Sequence, residues 1–276
     1  MIFQRLIWAA LATAVVVGSV QTGVQHLQAA PLILAAEVFE SQKAEAPEPV
    51  APATHVHAEA AAHGHDHAHD HAVAPEWEPE NGLERIGWTW MANTLHAFSM
   101  ALLVFAVMGV CLWRGASLRA LPLALWTAAA GWLVFHFWPS LGLHAEIPGM
   151  DAARLGSRQG WWLLAAVSAA LACASIAGLR SPLRWAAAVA WLALPYVVGA
   201  PHISTDPLAG FGPEAQTALR QLGTQFIWAT TWISLSFWAS MGLLGGLAFQ
   251  RWVQPGLLVV LKGVGVADAG AVGSAR

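Results

Sequence analysis

Charge is scarce in this sequence. Asp, Glu, Lys and Arg make up 11% of its 276 residues, against roughly a quarter in an ordinary soluble domain. What remains includes apolar runs that a water-soluble core does not need and a membrane span does. Cysteine is nearly absent. Cys111 and Cys173 fall in separate apolar segments, which excludes a disulfide framework and a C-x-x-C pair and leaves two small hydrophobes in helices. The net charge is −3 with no basic block, so nucleic acid is excluded as a partner. Also missing are a P-loop, a Rossmann glycine pattern, an H-E-x-x-H pair and a Ser–His–Asp signature. An ATPase within this chain is not expected, nor is an enzyme of another kind. Any energy must come from another subunit, the membrane potential or an ion gradient.

What is present is apolar: 57% hydrophobic residues, a mean hydropathy of +0.54 and sixteen tryptophans, a residue that membrane proteins place at the headgroup level. Six apolar stretches stand out, at about 6–27, 90–112, 121–138, 161–179, 183–200 and 226–249. A span needs about 20 residues, and the third and fifth stretches are near the short end. The expected fold is therefore all-α, a polytopic membrane bundle of about six transmembrane helices, with five as the competing count. The first stretch, flanked by Arg5 and by Gln28-Ala29-Ala30, has some look of a cleavable signal peptide. It is long and runs on into Pro31-Leu32-Ile33-Leu34, which favours an uncleaved anchor. The chain divides into a first helix (1–36), a loop rich in Ala, Pro, Glu and His (37–87), a helix bundle (88–250) and a tail (251–276).

Basic residues orient the bundle. With the N-terminus inside, eight lie in inner segments (Arg5, Arg114, Arg119, Arg180, Arg184, Arg251, Lys262, Arg276) and five outside (Lys43, Arg85, Arg154, Arg158, Arg220). The inner loops are short, and short loops weigh most. Both termini are expected in the cytoplasm, the bilayer is a bacterial inner membrane, and the 37–87 loop faces the periplasm.

That loop holds the densest chemistry. It reads as low-complexity and disordered. His55 and His57 precede an alternating run of His63, His65, His67, His69 and His71, with Asp66 and Asp70 between them. Neutral imidazole suits Co, Ni, Zn and Cu(II), and a flexible chain can wrap several around one ion, weakly and with little selectivity. The tract is expected to capture metal and to release it below about pH 6, where imidazoles hold protons.

Polar groups elsewhere extend this theme. His96 follows Asn93 by three residues on one helical face, His136 lies near the end of the third stretch, and His26 near the outer end of the first. Ionisable residues in spans default to functional hypotheses, so Asn93, His96 and His136 are candidates for a transport path. Outside the spans, His144 and Glu146, His202 with Asp206, and Glu37 form a His-plus-carboxylate set suited to a partly stripped divalent ion. Gly242 and Gly246 make a small-xxx-small motif, the mark of close helix packing.

Several separated motifs resemble one family, the CbtA family of cobalt transporter subunits. They are PLILAAEVFE (31–40), WEPENGLERIGWT (77–89), GLHAEIPGM (142–150) followed by RQGWW (158–162), and GAPHI (199–203), covering the chain from about residue 5 to 250. The resemblance implies a small inner-membrane protein taking up cobalt for cobalamin synthesis, beside a small single-span subunit with its own histidine motif. The chain departs from the family pattern at His144 and Ile203, where proline often stands, so neither position carries over as an obligatory ligand.

The expected function is thus a membrane subunit of a divalent transition-metal uptake transporter, cobalt first. The alternatives are nickel or zinc transport, or a non-conducting membrane accessory that only presents metal. A membrane enzyme using His144, Glu146 and His202 as acid–base groups is the weakest reading. No tightly bound cofactor is expected, only Co(II), or Ni(II) or Zn(II), in transit. The expected partners are the lipid bilayer, the metal ion, a further copy of the chain and the small subunit.

Overall fold

A backbone in hydrocarbon has no water to bond, so each apolar stretch satisfies its own amides by closing into a helix. The computed structural model describes residues 2–45 and 79–261. Their only regular structure is helical: α1 (Ile2–Gln28), α2 (Ala30–Glu45), α3 (Leu83–Trp113), α4 (Ala120–Ser140), α5 (Leu155–Gly178), α6 (Leu183–Val198) and α7 (Pro213–Leu261). Five of them, α1, α3, α4, α5 and α7, are long and apolar enough to cross a membrane. The sixth apolar stretch is α6, only 16 residues long. At 1.5 Å per residue it rises about 24 Å, short of a hydrocarbon core of about 30 Å. The chain is a multi-pass membrane protein; among the described residues five helices reach full span length, and the shorter α6 runs between the two ends of the bundle beside α5. The histidine tract, His55 to His71 with Asp66 and Asp70, lies outside the described residues.

Helix ends differ from the hydropathy boundaries. The first helical segment was expected to stop at 36, yet α2 runs to Glu45; α3 starts at Leu83, inside the expected loop; α7 runs 49 residues to Leu261, past the expected start of a tail at 251. Apolar content marks where a helix lies in lipid, whereas hydrogen bonding sets where it stops, and these helices continue into polar sequence. Between α1 and α2 the only break is at Ala29. Pro31 cannot donate to the helix, and the Leu32 and Ile33 amides both return to the Ala29 carbonyl, at 3.1 and 3.0 Å.

Two prolines reshape the long helices. A helical proline lacks its N–H and crowds the carbonyl four residues back. For Pro139 that carbonyl belongs to Phe135, and for Pro255 to Arg251. In each case the helix widens into a π turn just upstream, at Leu133–Phe137 and at Phe249–Val253. These two turns hold His136 and Arg251. A third π turn, Met241–Gly245, is glycine-rich.

Small residues set the packing. The main core joins α1, α3, α4 and α7 through Ala9, Ala14, Ala97, Ala101, Phe105, Ala124 and Phe249. Gly18 of α1 lies against the backbone of Thr94 on α3, and Gly242 and Gly246 of α7 lie against Ala128 and Ala124 of α4. Such approaches suit helices whose association in lipid rests on van der Waals packing. The α5–α6 pair flanks this bundle. Trp138 and Trp161 donate their indole N–H groups to the Leu192 and Pro195 carbonyls of α6, at 3.2 and 2.9 Å. Cys111 borders the main core and Cys173 a smaller one, and both are free thiols.

The alternation of helices sorts the loops onto two ends. One end gathers the start of α1, the α3–α4 and α5–α6 connections and the last part of α7. The other gathers α2, the start of α3, the α4–α5 and α6–α7 loops and the start of α7. There Ala36, Ile147, Leu208 and Leu219 form a small separate core, and the Asp151 amide donates to the Pro207 carbonyl at 2.8 Å.

Candidate functional site

The three intramembrane histidines come from three spans, and the fold turns them toward one space. A cavity of about 620 Å³ is lined by His26 of α1, His96 of α3 and His136 of α4. At roughly 30 Å³ per water it has room for about twenty water molecules, far more than a bare ion needs. Phe135, Trp162, Phe237 and Trp238 wall its deeper part, and Asn81, Gly82 and Arg85 line its mouth at the end that carries α2. The π turn above Pro139 places His136, whose Nε2 lies 3.5 Å from Thr231 Oγ1 on α7. Widened turns of this kind often mark functional positions. The His96 ring packs at 5.1 Å from that of Phe237.

Uncharged polar residues complete the lining. Gln21, Thr22, Gln25 and His26 form a stripe on α1, and Thr230 and Ser234 another on α7. Asn93 lies behind the wall: its amide nitrogen donates to Thr22 Oγ1 at 3.0 Å and Gln25 Oε1 at 2.7 Å. Asn93 is therefore a strut between α1 and α3 that orients two lining residues. Gln21 is 8% exposed, and its amide oxygen has no protein partner among the described residues. A buried acceptor without a donor calls for a water or a cation. The stripes are not evident from hydropathy; their signal is the recurrence of Gln and Thr or Ser at i and i+4 inside apolar helices.

The outer-end candidates are arranged differently. Glu37 accepts from Arg85 at 2.8 Å, Glu146 from Arg158 at 2.6 Å, and Asp206 from Arg220 at 2.9 Å. Asp206 also accepts from the Leu208 amide at 3.0 Å, which ties it to its own turn. His144 and His202 are exposed. His202 Nδ1 lies 2.9 Å from the Ala200 carbonyl, and as a carbonyl only accepts, Nδ1 is the donor. Among the described residues, no three His, Cys, Asp or Glu side chains converge at metal-ligating distance. Gly242 and Gly246 face α4, within the bundle.

This arrangement can hold a cation by neutral nitrogen and oxygen donors without stripping it. The cavity lining has three imidazoles, amides and hydroxyls, and no carboxylate.

No curated protein and no solved structure matches this chain. The CbtA family profile, described as a probable cobalt transporter subunit, matches residues 3–250. A match over that length, on a multi-pass bundle with histidines from three spans around one cavity, makes the chain a member of the CbtA family.

Proposed function

We propose that this chain is the membrane subunit of a cobalt uptake transporter and that the histidine-lined cavity is its ion path. The observation that supports this most is the meeting of His26, His96 and His136, each from a different span, around one cavity. The tract at 55–71 acts as an antenna outside the mouth. The ion passes from it to side chains of the outer loops, with His144 and His202 as the exposed donors and Glu37 and Glu146 held in their arginine pairs, and then into the cavity as a partly hydrated dication. Both termini are cytoplasmic and the cavity mouth is periplasmic, so the inside-negative potential of an inner membrane draws the ion inward. That potential is worth about 4.6 kcal/mol for two charges at 100 mV. A small single-span subunit with its own histidines completes the path toward the cytoplasm.

The test is metal accumulation in metal-starved cells, read by elemental mass spectrometry for cobalt, nickel and zinc together. Cobalt is expected to rise selectively, to survive deletion of residues 55–71 at a reduced rate, and to fall about tenfold with His96→Ala or His136→Ala. Accumulation that vanishes with the tract and ignores both cavity histidines would make the protein a metal-presenting accessory. A rise in nickel or zinc without cobalt would reassign the cargo.

A further inference from the structure

The end of the bundle opposite the cavity mouth has a chemistry of its own. Of the sixteen carboxylates, fifteen fall in α2, on the chain between α2 and α3, at the start of α3, in the α4–α5 and α6–α7 loops or at the start of α7, and the sixteenth, Asp268, lies outside the described residues. The end opposite the mouth carries Arg5, Arg114, Arg119, Arg180, Arg184 and Arg251. Two of them meet. Arg5, from the first turns of α1, and Arg251, from the last third of α7, line a cleft of about 570 Å³ with Gln4, Trp8, Ala12 and Trp252. No carboxylate pairs with either among the described residues. At the mouth end, by contrast, Arg85, Arg158 and Arg220 each have one.

The cleft is built rather than incidental. The π turn Phe249–Val253 above Pro255 reaims Arg251 and Trp252, by the same device that presents His136 to the cavity. Gly256 of α7 lies beside the other arginine: a methyl group on it would be in ordinary van der Waals contact with Arg5 Nη1, at 3.9 Å, and with Ile2, at 3.7 Å. Two guanidiniums that line one cleft with no carboxylate paired to either among the described residues suit an anion between them. A guanidinium fork binds phosphate oxygens in a bidentate manner. Trp8 and Trp252 are 62% and 46% exposed, as suits indoles at headgroup depth. Basic pockets between transmembrane helices are where acidic lipid headgroups bind.

We propose that the Arg5–Arg251 cleft is a binding site for a phosphate-bearing anion, of the kind presented by the headgroup of an acidic phospholipid. It ties the start of α1 to the end of α7 and is independent of the ion path.

The experiment is native mass spectrometry of the full chain in neutral detergent, with cardiolipin, phosphatidylglycerol or phosphatidylcholine added, and calorimetric titration of the lipid-free protein with inorganic phosphate and pyrophosphate. The expected result is at least tenfold preference for the acidic lipids over phosphatidylcholine. Arg5→Gln with Arg251→Gln should remove most of it, whereas Arg180→Gln with Arg184→Gln, an equal loss of charge at the same end, should reduce it less than twofold. Arg5→Lys with Arg251→Lys keeps the charge without the fork and is expected to retain an intermediate preference; it also serves if the glutamine pair fails to fold. Pyrophosphate binding that the glutamine pair abolishes, without a lipid preference, would uphold the site and make its ligand soluble. Equal losses in the two glutamine pairs, or no preference among lipids with no phosphate binding, would overturn it.

Discussion

Arg85 of α3 donates to the carboxylate of Glu37 on α2 at 2.8 Å, and Arg85 also lines the mouth of the histidine cavity. The pair spans 48 residues of sequence and holds α2 over the entrance. Its side chains are 39% and 37% exposed, and ion pairs at such sites contribute about 0–1 kcal/mol. Its effect on stability is therefore small and its effect on the entrance is electrostatic. Arg85→Gln frees the carboxylate and removes a positive charge from the path of a dication. This variant is expected to unfold within a few degrees of the parent and to take up cobalt at lower external concentration. Glu37→Gln should shift uptake the opposite way. Uptake curves and thermal unfolding in detergent, run on both variants, check this; losses of equal size in both would reduce the pair to a clasp for α2.

Glycine substitutions should rank by what each methyl group meets. At Gly18 a Cβ would fall 2.6–2.9 Å from Thr94, including its backbone nitrogen and Cα. Backbone cannot move aside without shifting α3. At Gly242 the obstacle is the Ala128 methyl at 2.9 Å, and at Gly23, on the same helix as Gly18, nothing lies within 4 Å. Overpacking costs about 1–3 kcal/mol, while alanine in an open helical site gains up to about 1 kcal/mol over glycine. The predicted order of stability is Gly23→Ala at or above the parent, then Gly242→Ala, then Gly18→Ala lowest. Thermal unfolding of the three in one detergent decides it.

The spans were legible because membrane insertion imposes a composition, and a run of apolar residues such as 161–179 can do little else. The short α6 was legible as apolar, but its 16 residues show that composition does not fix length. Other features rest on partners that pattern cannot supply. Glu37, Glu146 and Asp206 read as open ligands, and each has an arginine 48, 12 or 14 residues away in sequence. His26, His96 and His136 could each be singled out, but that they line one cavity depends on how α1, α3 and α4 pack. The local cause of the His136 placement is visible in sequence as Pro139, three residues on, because a helix widens before a proline.

The histidine tract makes a separable prediction about pH. A metal-bound imidazole must be neutral, so protons compete with the ion. Cobalt bound by the full chain at pH 7.5 should exceed that bound by a variant lacking residues 55–71 by more than one ion per chain. The excess should disappear by about pH 5, where unperturbed imidazoles are protonated. Equilibrium dialysis of both proteins across that range measures it. An excess that persists at pH 5 would assign the binding to the carboxylates of the loop.

Filling the cavity distinguishes a path from a packing defect. Ser234 lines it from α7 beside Ile233 and Phe237, so a larger side chain at 234 enters space already empty. Ser234→Trp is expected to fold, since a space of about 620 Å³ accepts an indole without displacing a helix. If ions pass there, cobalt uptake should fall at least tenfold, while metal binding by the tract, measured by dialysis, stays at the parent value. Ser234→Ala should leave both unchanged, because a hydroxyl that only borders the space is dispensable. A tryptophan variant that unfolds at higher temperature and transports normally would show that the cavity is simply unfilled volume and that the ion crosses elsewhere.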